Sequence, residues 1–74
     1  MPEISLESLV TGKVWKVEKQ VGDAVAEGES ILIVESMKME IPLEATSAGI
    51  VTRLAVAEGD NVSEGQVLAV LSPT

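Results

Sequence analysis

Displaced by 37 positions, the 74-residue sequence lies over itself without a gap. Gly12 falls on Gly49, Gly22 on Gly59 and Gly28 on Gly65; Glu3, Ile4, Leu6 and Glu7 fall on Glu40, Ile41, Leu43 and Glu44; Val14, Asp23, Val25 and Glu27 fall on Val51, Asp60, Val62 and Glu64. A chain written twice from one plan must bury equivalent positions in both copies. Stacked solenoids need at least three repeats to cover their faces, so two copies predict one domain, residues 1–74, in which 1–37 and 38–74 are related by a pseudo-twofold axis. The junction between Met37 and Lys38 then corresponds to the two chain ends, Thr74 and Met1. Lys38 is expected at the pole opposite the termini.

Each copy has the grammar of strands. A short alternating run (Ile4 and Leu6; Ile41 and Leu43) leads to a glycine and a longer alternating run (14–20; 50–56). A Gly-Asp turn, a brief apolar touch, Glu-Gly and a strongly apolar run (31–35; 67–71) follow. Short period-two runs separated by regular turn signals predict an all-β sandwich or barrel. No helix is predicted: Gly22 and Gly28 bracket too few residues, and 21–29 reads as turn, short strand, turn. The glycines match no phosphate-cradling pattern and read as turns and bulges.

Composition narrows the chemistry. At this length about 60% of the unfolded surface is buried on folding, so the core is thin. It is built from Val, Ile, Leu and Ala, with Trp15 the single aromatic residue, expected to cover the core from a strand. There is no cysteine or histidine, which removes disulfides, thiolate metal sites and the commonest general base, and with them the usual nucleophile-base pairs of an autonomous enzyme. A net charge of -7 with five basic residues argues against nucleic acid. No apolar run approaches the ~20 residues of a membrane span and the opening residues are not a signal peptide, so a cytoplasmic protein is expected. Asn61-Val62-Ser63 fits a glycosylation sequon but is read as a turn.

The run from residue 31 to 43 is too long for one strand, since strands usually span about five or six residues. The duplication boundary predicts the break: a tight hairpin at Met37 and Lys38 pairing 31–36 with 39–44. Two-residue hairpins demand positive φ and favour Asn-Gly, for which Met-Lys is a poor choice. Broken turn chemistry is a mark of function overriding foldability. A lysine held between two methionines at such a tip, where at least one methionine is exposed, is the candidate functional group.

Glu35, Ser36, Met37, Lys38, Met39 and Glu40 read ESMKME, which resembles the attachment motif of biotinyl (biotin carboxyl carrier) domains, whose usual core is Ala-Met-Lys-Met. The resemblance spans the chain, because Gly22-Asp23, Glu27-Gly28, Gly49, Gly59-Asp60 and Glu64-Gly65 match the turns of that biotin/lipoyl attachment family, most nearly its small free-standing members. Ser36 replaces the commoner alanine, which bears on ligase efficiency. The short connection at 21–23 resembles members that lack a protruding thumb.

The resemblance implies a barrel-sandwich hybrid: a flattened barrel of two four-stranded antiparallel sheets, with Lys38 on the hairpin between the fourth and fifth strands. It implies that Lys38 receives biotin, that Met37 and Met39 form the tip a ligase recognises, and that Glu35 and Ser36 are flanking motif. Biotin protein ligase would join biotin to the amine through a biotinyl-adenylate; an ordinary lysine amine is protonated at neutral pH, so the ligase must desolvate it or supply a base. The biotin of similar domains carries a carboxyl group from a biotin carboxylase to a carboxyltransferase, the cofactor doing the chemistry. Lipoyl carriers share the fold but usually place Asp-Lys-Ala at the tip; an unmodified interaction module is the remaining alternative.

Overall fold

The computed structural model describes residues 2–74. The expectation placed on Met1, as the counterpart of Lys38, lies outside the described residues. Eight strands are present: β1 Ile4–Glu7, β2 Gly12–Val17, β3 Ala24–Val25, β4 Ser30–Ser36, β5 Met39–Glu44, β6 Gly49–Leu54, β7 Asn61–Val62 and β8 Val67–Pro73. They form two antiparallel four-stranded sheets, ordered β1-β8-β6-β3 and β5-β4-β2-β7. Adding four to each strand number exchanges the sheets, which is the pseudo-twofold symmetry predicted from the repeat. We call the second, which carries the tip, the hairpin sheet, and the first the terminal sheet. No helix occurs among the described residues.

The symmetry extends to single hydrogen bonds. The Asp23 carboxylate accepts from the Gln20 N–H at 2.8 Å, and that of Asp60 from the Ala57 N–H at 2.9 Å. Glu29 accepts from the Ala26 N–H and Gln66 from the Ser63 N–H, both at 2.9 Å. These side chains close each turn before its partner strand begins, because Asp and its longer analogues satisfy backbone donors locally. Gly22 and Gly59 hold φ of 97° and 93°, a left-handed region in which a side chain would be strained.

The core lies between the sheets. Ile31, Leu32, Val34 and Leu43 face Val51, Leu68, Ala69 and Leu71, and several of these are fully buried. Each fully buried Val, Leu or Ile contributes roughly 1.5–3 kcal/mol, so burial of this alternating set is the main force that holds the small sandwich together. Gly12 and Gly49 let paired strands close up: a Cβ on either would collide with the backbone carbonyl oxygen of Glu35 or Ser72.

Several expectations need correction. Trp15 does not cover the core. It is the extra residue of a bulge between Val14, opposite Val34, and Lys16, opposite Ile33, and is 48% exposed on the outer face. A bulge gives two residues of one strand to one of its partner, so both Trp15 and Lys16 stay outside. The same bulge recurs at Thr52 in β6. The second runs of each copy are shorter than read, ending at Val17 and Leu54. Asn61 and Val62 form a two-residue strand paired with β2 rather than a turn.

Candidate functional site

Strands β4 and β5 pair from Ser30 opposite Glu44 to Ser36 opposite Met39, leaving Met37 and Lys38 alone in the turn. Both have positive φ, 53° and 65°. A two-residue turn with two positive φ values matches the right-handed twist of the flanking strands, which is why the backbone accepts a conformation that neither side chain favours. The tension read from the sequence is therefore present in the fold.

The tip projects into solvent. Met37 is 92% exposed and Met39 63%, far from the buried role methionine usually takes. Lys38 is exposed and enters no ion pair among the described residues. Glu35 and Glu40 stand opposite each other one rung below, with Lys13 of β2 opposite Glu35. The structure thus brings Glu35, Ser36, Met37, Lys38 and Met39 together on one hairpin end.

Ser36 has a structural task. Its hydroxyl donates to the Thr11 carbonyl at 2.8 Å, tying the last rung of the hairpin to the β1–β2 loop. Thr11 also accepts the Glu64 N–H on its own hydroxyl, so one residue links three segments beneath the tip. Sequence reading missed Thr11. No sequence signal marked it; its counterpart in the repeat, Ala48, accepts the Thr74 N–H on its carbonyl beside the equivalent end of β8.

That contact also orients the molecule. The base of the hairpin, at Ser30 and Glu44, continues into Ala45, which bonds Gly28 and Glu29, and then into Ala48, which holds Thr74. The tip is six residues up the strand, or about 20 Å at ~3.3 Å per residue. Lys38 and the C-terminal residue occupy opposite regions of a domain 35 Å long and 18 Å wide.

A lysine amine held out in solvent on a braced hairpin is the arrangement a carrier needs. The family model described as "Biotin-requiring enzyme" matches residues 1–71. The chain is similar to the biotin/lipoyl attachment protein of Bacillus subtilis (strain 168), with 48% identity over 63 residues covering 85% of this chain and 86% of that one. It is also similar to the dihydrolipoyllysine-residue succinyltransferase component of the 2-oxoglutarate dehydrogenase complex of Staphylococcus saprophyticus subsp. saprophyticus (37% over 75 residues, 96% of this chain and 18% of that one). Among solved structures, the urea carboxylase of Kluyveromyces lactis superposes with a TM-score of 0.92 at 36% identity, covering 97% of this chain and 6% of that one. The chain belongs to the biotin/lipoyl attachment family. It is a carrier rather than a catalyst, and it resembles domains found within carboxylases.

Proposed function

We propose that residues 1–74 act as one carrier domain in which Lys38 takes biotin, with Met37 and Met39 as the surface a biotin protein ligase reads and Glu35 and Ser36 as supporting motif. The observation that carries this reading is the Met37-Lys38-Met39 tip itself: two exposed methionines frame a free amine on a turn whose backbone is strained at both central residues. A methionine pair offers a polarizable contact for a partner enzyme, and the turn fixes the direction in which the amine leaves the sheet.

In the modification, the amine nitrogen of Lys38 attacks the carboxyl carbon of biotin in its mixed anhydride with AMP. An amide bond forms, the C–O bond to AMP breaks, and the amine proton passes to a base of the ligase. The domain's contribution is presentation. Bound biotin supplies a ureido nitrogen that takes up and gives up a carboxyl group. The hairpin carries that group between the biotin carboxylase and carboxyltransferase of a carboxylase, in this reading within the cytoplasm.

Intact-mass measurement after incubation with biotin ligase, biotin and ATP tests the proposal. We expect one biotinyl addition, absent in Lys38→Arg, whose melting curve is unchanged. An unmodified wild-type mass refutes biotin. Lipoate ligase with lipoate and ATP tests the lipoyl alternative, which the similarity to the succinyltransferase component favours and the two methionines oppose.

A further inference from the structure

The turn that presents Lys38 is small. A specific protein contact buries on the order of 800 Å² per partner, far more than two turn residues supply, so an enzyme acting on Lys38 must also rest on a face that leads to the tip. The outer face of the hairpin sheet is continuous with that tip: below the rung of Lys13, Glu35 and Glu40 it carries an apolar strip edged by Lys16. Trp15 and Lys16 occupy the β2 bulge, Ile33 lies opposite Lys16, and Pro42 lies opposite Ile33 on the edge strand β5. Trp15 and Pro42 are exposed and Ile33 is half-exposed between two buried neighbours, Leu32 and Val34.

The charge on this strip is also unspent. The chain has 12 acidic and five basic residues, yet among the described residues the one ion pair is Lys19 with Glu29; Lys13 stands opposite Glu35, and Lys16 is left unpaired next to Trp15. The terminal sheet lacks such a strip. At its equivalent bulge stand Thr52 and Arg53, and the Thr52 hydroxyl is turned back to the Val70 carbonyl at 3.2 Å. The two sheets share a backbone plan and differ in what they offer a partner.

We infer that Trp15, Lys16, Ile33 and Pro42 form a second contact for the ligase that modifies Lys38, received by an apolar slot for the indole with carboxylates at its rim. This rests on the attachment reading above. Tryptophan is among the side chains that most often carry binding energy at protein interfaces, and a rim charge such as Lys16 acts chiefly on encounter.

Trp15 is the only tryptophan, so ¹⁵N-labelled protein gives one indole N–H signal to follow while unlabelled biotin ligase is added. We expect the indole signal and the Met37, Lys38 and Met39 amides to move together. In steady-state biotinylation, Trp15→Ala raises KM roughly tenfold with kcat nearly unchanged, the size of a modest hot spot. Lys16→Glu raises KM severalfold, whereas Arg53→Glu, the same charge reversal at the equivalent bulge, leaves it within about twofold. Tip amides that shift while the indole stays still, or equal effects of the two charge reversals, overturn the inference. Biotinylation without indole movement sinks the docking face and keeps the attachment; indole movement without a mass increase does the reverse; neither sinks both.

Discussion

Replacing Met37 with asparagine separates what the turn requires from what its present residues provide. Met37 holds φ 53°, and a side chain without a local hydrogen bond pays about 1–2 kcal/mol to enter that region. Asparagine adopts it readily because its short amide bonds nearby backbone. The methionine gives little back, since at 92% exposure it buries only a sliver of surface, worth a few tenths of a kcal/mol at ~25 cal/mol per Å². Met37→Asn is therefore expected to stabilise the fold by about 1 kcal/mol. For a domain of this size that raises Tm by about 4–8 °C, and it moves the urea midpoint by about 0.5–1 M. Modification of Lys38 is expected to slow at the same time, because the ligase loses half of the methionine frame. Paired thermal and urea melts give the first result and intact-mass kinetics the second. A midpoint that stays put or falls refutes the argument that this turn stores strain for the sake of its side chains.

Further outcomes follow from the same geometry. Gly12→Ala and Gly49→Ala each drive a Cβ into a partner-strand carbonyl, so each is expected to destabilise by about 1–3 kcal/mol and by similar amounts, read from urea midpoints. Ser36→Ala removes the hydroxyl bond to Thr11, with a loss of about 0.5–1 kcal/mol and faster amide hydrogen exchange at Met37 and Lys38 than elsewhere. The Lys19–Glu29 pair, at 2.9 Å, predicts a pH signature. The hydrogen bond from Lys19, then that from the Ala26 N–H, lowers the Glu29 pKa, so its contribution is present above the ordinary glutamate value and lost as pH falls through the depressed one. The hydrogen bond to Glu29 raises Lys19, whose contribution is present below the ordinary lysine value and lost as pH climbs through the raised one. Lys19→Met is expected to flatten both limbs of a Tm–pH curve; identical curves for variant and wild type refute it.

Most of this architecture was legible because the sequence states it twice. The repeat predicted which strands are equivalent, and the run from 31 to 43 could break only where the copies meet, which gave the partners β4 and β5. The bulges were not legible. An inserted residue leaves the apolar alternation intact on both sides, so Trp15 was read as a core cover when the backbone turns it outward. The brace beneath the tip was hidden for a different reason: Ser36 and Thr11 are 25 residues apart, and a hydroxyl meeting a carbonyl leaves no periodic trace. The tip itself was visible as a violation, two residues unsuited to the turn that the pairing demands.

Lys38 and Thr74 lie at opposite ends of a body about twice as long as it is wide. A flexible connection near Thr74 would therefore leave the amine unshadowed and act as a hinge far from it. A modest swing about that hinge sweeps the lysine through an arc whose radius is nearly the 35 Å length of the body, before the flexible side chain adds its own reach. The rigid sandwich is in this sense a lever arm: its stiffness turns a small rotation at one end into a long displacement of the amine at the other.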